Sequence, residues 1–435
     1  MKTRMLAGAA LAALMGIAVP AGAATSPSFP ATSATQSNSV AQAVDSFYAS
    51  RGAAPLWLGA SGPNAAGRLL LASLQHAQLD GFASGPAIAA RADALLARAA
   101  NGDADARANA DRLLSTAWVL YVQALTTPPS GVTYGDNWVA PRQQSAAQIL
   151  ASAGASRSLS DDVQRISTVN PLYAQLREAA WQQMQANGGT LDPRVSASLD
   201  RARTTPVQDR YIMVDAAGAR LYMIDGNRIV DSMKVIVGKD SAQTPMMAST
   251  IYYATLNPYW NVPGDFIRST MVERIKQGGT AYLTSHNYQV LSPDTGEVLN
   301  PASVDWDAVA AGTQQVRMRQ LPGPANSMGR MKFAFPNNYD IYLHDTPVKE
   351  LFAQADRDLS HGCVRLEDAP RLGRWLLGRA PVAETSAPEQ QVLLPKPVPI
   401  YVTYMTAQAK DGQISFVEDV YGHDTAMASQ VAALR

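Results

Sequence analysis

Near Pro206 the apolar residues of this chain change from helical spacing to short β-prone runs, so neither an all-helical nor an all-β fold can bury both halves. Upstream, Ala66–Gln75 carries Leu69, Leu70, Leu71 and Leu74, and Ala110–Leu125 repeats a helical pattern. Turn signals such as Pro128-Pro129-Ser130-Gly131 separate these segments. Residues 41–200 therefore read as an alanine-rich helical domain. Downstream, Tyr211–Val214, Leu221–Ile224 and Ile229–Val237 are parted by Ala217-Gly218 and Asp225-Gly226-Asn227, which predicts strands joined by tight turns in a mainly antiparallel sheet. The fold class is α+β, with a second domain over residues 207–435.

Three segments refine that division. Tyr339–Leu343 is a further β-like run, and Ile400–Thr406 with Ile414–Val420, parted by Asp411-Gly412, predicts a hairpin returning to the same sheet. Residues 257–336 mix a possible helix at Phe266–Lys276 with many Gly, Pro and Asn residues. An aromatic-containing insert of this length reads as an ordered lid.

The N-terminus carries Lys2 and Arg4, an apolar run from Met5 to Val19, then Pro20 and Ala21-Gly22-Ala23, the pattern of a secretory signal peptide over residues 1–24. The run is shorter than the roughly 20 residues that span a bilayer. Residues 25–40 are Ser-, Thr-, Ala- and Pro-rich and read as a linker. Thirty-six basic residues balance thirty-six acidic ones, so no field of one sign draws the chain to nucleic acid or an anionic membrane. The single cysteine, Cys363, has no intramolecular partner in an oxidising compartment and is either a buried bystander or a thiol kept free for chemistry.

Its neighbours favour chemistry. Ser360-His361-Gly362-Cys363-Val364-Arg365 follows Tyr342-Leu343-His344-Asp345-Thr346, so the lone thiol stands among two of only five histidines. A thiol attacks carbonyl carbon as its thiolate and needs an imidazole or another positive influence nearby. His361 would share a face with Cys363 if the segment were extended, whereas His344 could meet it across a loop; the spacing leaves open which takes the proton. Gly362 lets a substrate approach the backbone, whose N–H groups could serve as an oxyanion hole. Asp368 reads as the N-cap of a helix with Pro370 in its first turn. His76, His286 and His423 have no second ligand at metal-like spacing, and no phosphate loop or nucleic-acid motif is visible.

The His344 and Ser360-His-Gly-Cys363 segments resemble the signature of the YkuD-type L,D-transpeptidases. Val235–Lys239, Asn257–Pro263, Gln320–Pro324 and Phe333–Asn337 are similar to the larger YcbB-like branch. The resemblance implies Cys363 as nucleophile, His344 as base and the Asp345 carbonyl as its orienter. It implies that Ser360, His361, Gly362 and Arg365 shape the oxyanion and thiolate environment, and that Trp260 and Tyr342 face substrate. By the same resemblance the helical domain is a scaffold and residues 257–336 are a capping insert. A separate peptidoglycan-binding module between Gly188 and Arg210, frequent in that branch, is not evident.

The implied activity is acylation of the thiol by a tetrapeptide stem with loss of its terminal D-amino acid, then capture of the thioester by an amine to give 3–3 or 1–3 links. Carbapenems would form a covalent adduct, neither a metal nor an organic cofactor is required, and the enzyme would work in the periplasm. The alternatives are an L,D-carboxypeptidase, with water as acceptor, and a non-catalytic wall-binding scaffold. A papain-like protease fits poorly, because such enzymes place the histidine after the cysteine and only His423 lies downstream.

Overall fold

The computed structural model describes residues 34–204 and 206–424, with side chains from Ser39 onward. The signal-peptide reading, and the linker reading as far as residue 33, lie outside the described residues. Residues 34–40, expected to be linker, instead begin α1 (Ala34–Ser50), with Val40 and Val44 buried in the first core. The low-complexity composition concealed this because only every fourth position there needs to be apolar.

Seven more helices follow: α2 (Ala65–Gln75), α3 (Gly85–Ala100), α4 (Ala104–Leu125), α5 (Ala146–Ala155), α6 (Leu159–Thr168), α7 (Pro171–Ala186) and α8 (Pro193–Ala202). Their starts are chemically marked. Asn64, Asp103 and Asn170 each accept a backbone N–H three residues on, and Ser145 with Gln148 forms a capping box. Leu70, Leu74, Leu114, Trp118 and Leu125 supply the buried stripe.

The second domain is built on strands β1 (Tyr211–Asp215), β2 (Arg220–Asp225), β3 (Arg228–Gly238), β4 (Met247–Leu256), β5 (Met331–Ala334), β6 (Tyr342–His344), β7 (Val364–Leu366) and β8 (Gln390–Thr403). Their order is β5-β6-β7-β3-β2-β1-β8-β4, and β5 also pairs with β4 through Met331↔Leu256, so the sheet closes into a ring. Two short strands add to this ring in parallel, Thr133–Tyr134 on β4 and Asp358–Ser360 on β3. The meander β1-β2-β3 is antiparallel, but β6 runs parallel to β7 and β8 parallel to β1.

Ile212 and Val214 point into the barrel core with Leu343 and Val364, while Tyr211 and Met213 on the other face join the helical core. Strand β1 is therefore buried on both sides, and the two domains share it as a wall. The C-terminal hairpin departs from expectation. The Ile400 run is the end of β8, whereas Ala407–Lys410 and Gln413–Phe416 pair only with each other. Ser198 of α8 bonds Thr406 Oγ1 and accepts the Ala407 N–H at 2.9 Å, which turns the hairpin onto the helical domain.

Between β4 and β5 the chain leaves the barrel and builds a cap with its own core of Ile267, Met271, Ile275, Val290 and Met318. Strands Trp260–Val262, Tyr288–Leu291, Val298–Leu299 and Arg317–Gln320 form its sheet. Its longest helical run goes from Gly264 to Gly278 with a π-turn at Ile267–Met271, followed by short helices at Ala281–Ser285 and Trp306–Ala311. The cap ends before Met331, because β5 pairs within the barrel and Phe333 and Phe335 lie in the barrel core; the expected limit at residue 336 is corrected accordingly.

Candidate active site

The site begins with strand register. Strands β6 and β7 pair as Leu343↔Val364 and His344↔Arg365, and the 19-residue separation between His344 and Cys363 supplies the long crossover that a parallel pair needs. Leu343 and Val364 are fully buried in the barrel core. Alternation therefore turns Tyr342 and His344, with Cys363 and Arg365 beside them, to the opposite face. The rings of Tyr342 and His344 meet edge to face at 5.8 Å.

His344 is buried, and its Nδ1 lies 2.6 Å from the Asp345 carbonyl oxygen. Burial, reinforced by the Arg365 charge, lowers its pKa to about 3. The ring is thus neutral at pH 7, and because a carbonyl only accepts, Nδ1 carries the proton and Nε2 keeps a free lone pair. The Asp345 carboxylate accepts from Lys349 Nζ at 2.8 Å and from the Arg330 N–H at 2.9 Å. Gly329, at φ 60°, lies so close that a Cβ there would stand 2.4 Å from Asp345 Oδ2.

Cys363 is half-buried, and its Sγ donates to the Asp340 carbonyl at 3.5 Å. Burial raises the thiol pKa; the Tyr342 N–H and hydroxyl, then Arg365, pull it down. The resting pair is accordingly thiol and neutral imidazole. Gly362 sits at φ 110°, and a Cβ there would lie 2.8 Å from Ile341 Cδ1. Its N–H donates to Ser360 Oγ at 3.1 Å, while Ser360 Oγ donates to the Cys363 carbonyl at 2.6 Å. The Gly362 amide is therefore engaged in the loop and is not a free oxyanion donor here.

His361 does not share the Cys363 face through an extended segment, because the positive φ of Gly362 turns the chain between them. It is exposed, and its ring meets Phe266 of the cap at 6.0 Å. Trp260 packs on Phe266 and Tyr288 at 5.8 and 6.2 Å, one ring removed from His361. Tyr342 lies directly beside the thiol. Asp368 caps α9 (Ala369–Leu377) by accepting the Arg371 N–H at 3.0 Å, with Pro370 in the first turn.

Sequence reasoning missed Thr244. Its buried Oγ1 donates to the Gly362 carbonyl at 2.7 Å and accepts the Gly238 N–H at 2.9 Å, stitching β3 to the Ser360–Cys363 loop. Lys349 and Asp340 were missed as well. Nothing local marked any of the three, although Thr244 follows the Val235–Lys239 segment closely. Among the described residues no group of three or more His, Cys, Asp or Glu side chains could hold a metal, and no helix is long and apolar enough to cross a membrane.

Residues 209–388 match the L,D-transpeptidase catalytic domain, YkuD, and residues 42–179 match a family described as the scaffold domain. A Haemophilus influenzae protein named "Putative L,D-transpeptidase" is 31% identical over 391 residues, covering 87% of this chain and 77% of that one. Among solved structures, an L,D-transpeptidase from Mycobacterium smegmatis is 14% identical, covering 45% of this chain and 58% of that chain with a TM-score of 0.24. The Enterococcus faecium L,D-transpeptidase C442S mutant is 13% identical, covering 45% and 50%, with a TM-score of 0.22. This chain thus spans 58% and 50% of the two structures' lengths. The domain match defines an enzyme of the transpeptidase, acyltransferase type. The chain belongs to the L,D-transpeptidase family, which acts on the cell wall, and pairs the YkuD domain with a scaffold as in the YcbB-like architecture.

Proposed function

We propose that the chain is an exported peptidoglycan L,D-transpeptidase in which Cys363 is the nucleophile and His344 the base. One observation carries this reading: the parallel β6–β7 register sets a thiol and a neutral imidazole, with its Nε2 lone pair free, on the same face of adjacent strands. In the first step the thiol proton passes to Nε2 as sulfur bonds to the carbonyl carbon between the third and fourth stem residues. The tetrahedral adduct collapses as the imidazolium protonates the departing amine of the terminal D-amino acid, leaving a thioester. An acceptor amine then adds to the thioester and gives its proton to His344. Collapse expels sulfur and forms the new amide, a 3–3 or 1–3 link.

The cap supports aminolysis over hydrolysis. Phe266 reaches His361, so the edge-to-face Trp260–Phe266 pair and Tyr342 form an aromatic wall for the donor stem and limit water at the thioester. Residues 1–24 would direct export to the periplasm, where the wall lies.

The test is a muropeptide digest after incubating purified wall with the protein. Cross-linked dimers that vanish with Cys363→Ser support the reading, whereas trimmed tripeptides without dimers would instead establish an L,D-carboxypeptidase. Wall chemistry unchanged by Cys363→Ser would favour a scaffold. A carbapenem should add one drug mass to the wild type and none to Cys363→Ser.

A further inference from the structure

We infer that Arg365 reads the free C-terminal carboxylate of the donor stem, and so confines acylation to a bond one residue from a chain end. This rests on the transpeptidase reading above and gives its donor site a specificity determinant.

Arg365 is half-buried on the thiol face, yet among the described residues its guanidinium makes no ion pair and no hydrogen bond to protein. The nearby acids are committed elsewhere. Glu367 and Asp368 stand 4.0 and 3.6 Å from Arg371, and Glu367 also accepts the Lys234 N–H at 3.1 Å. The Asp345 carboxylate is held by Lys349 and the Arg330 N–H. A partly desolvated cation left without an anion is unfavourable for the free protein, which is the signature of a group held for a ligand.

The spacing suits a carboxylate. Arg365 follows Cys363 by two residues on one face, about 6.6 Å along an extended chain. In the donor, the carboxylate carbon is separated from the scissile carbonyl carbon by only the amide nitrogen and one Cα, a span of about 4 Å. With the carbonyl over Sγ, a guanidinium two residues on can take the carboxylate in a two-pronged contact. An internal peptide bond offers a neutral amide at that point and leaves the charge unanswered.

The experiment compares a synthetic tetrapeptide stem with its C-terminal carboxamide as donors, following acylation of Cys363 by intact-protein mass and by kcat/KM. Wild-type enzyme should prefer the acid by about 100-fold, a typical worth for a desolvated charged pair. Arg365→Gln should lower the acid about 100-fold more than it lowers the carboxamide, and Arg365→Lys should recover part of the preference. Circular dichroism and urea unfolding at wild-type values show that each variant keeps its fold.

Two results overturn the inference while leaving the transpeptidase reading intact. One is a wild type that acylates equally from both donors. The other is an Arg365→Gln variant in which both donors fall alike and the acid keeps its wild-type preference, which would leave Arg365 acting on the thiolate alone. Failure of the wild type to acylate from either donor overturns both readings.

Discussion

His344 Nδ1 stands 2.6 Å from the carbonyl oxygen of Asp345, its immediate neighbour, and that one contact assigns the ring proton. The neighbour's backbone, unlike a side chain, cannot be removed by substitution. Asp345→Ala should therefore leave the tautomer intact while freeing the Arg330 N–H and leaving Lys349 only the Leu366 and Glu367 carbonyls. The expected cost is about 1–3 kcal/mol of stability with a roughly tenfold fall in kcat, from loosening at the cap's return to the barrel. Urea unfolding and steady-state acylation measure the two. A fall of three orders of magnitude in kcat would show that the carboxylate itself serves the chemistry.

The protonation states set the pH dependence of the thiol. Burial raises the Cys363 pKa and lowers that of His344 to about 3, so no thiolate–imidazolium pair is stored at neutral pH. Iodoacetamide alkylation of the free enzyme should rise about tenfold per pH unit from pH 6 to 8 without a plateau. A plateau already present at pH 6 would mean a preformed ion pair.

Stability should carry the same signature. His344 has a folded pKa near 3 against about 6.5 unfolded, so between those values the unfolded chain binds more protons. Its contribution is complete above about pH 6.5 and is lost as pH falls toward 3. From pH 7 to pH 5 the wild type should lose about 2 kcal/mol more than His344→Gln. Urea titrations of both proteins at the two pH values give the difference, and equal losses would refute the buried, neutral imidazole.

The loop carrying the thiol is set by backbone conformation. Gly362→Ala meets both a φ of 110° and a contact of 2.8 Å to Ile341 Cδ1. It should cost about 1–3 kcal/mol and more than 100-fold in acylation, because a shift of about 1 Å at the sulfur is costly. A Gly362→Ala enzyme with wild-type kcat would remove Gly362 from the positioning machinery.

Thr244→Val keeps shape but deletes the hydroxyl that joins the Gly362 carbonyl to the Gly238 N–H, leaving two buried backbone groups unanswered. A loss of about 1–3 kcal/mol in urea unfolding is expected. Thr244→Ser should restore most of it, and a Ser variant as unstable as Val would point to packing of the methyl group instead.

Local pattern carried far along this chain. The helical period, the β1-β2-β3 meander with its Gly turns and the Asp368–Pro370 helix start are all encoded within a few residues of where they act. So is the isolation of one thiol among histidines. The start of β8 was hidden, because Pro395, Pro397 and Pro399 argue against a strand; a register shift between Leu393 and Val398 accommodates the first two, and Pro399 lies opposite Thr250. The place of His361 was left open for a similar reason, since a single positive φ at Gly362 decides whether the face-sharing of an extended segment applies.

The residues by themselves determined a two-part α+β chain and the handful of side chains able to do thiol chemistry, because periodicity and residue type are local properties. Only the tertiary structure decided that β6 and β7 run parallel, that β5 closes the ring on β4, and that the C-terminal hairpin leaves the barrel for the helices. Strand pairing, register and the partner of a buried imidazole are settled by contacts between distant segments, and alternation along one strand is the same whichever neighbour it finds.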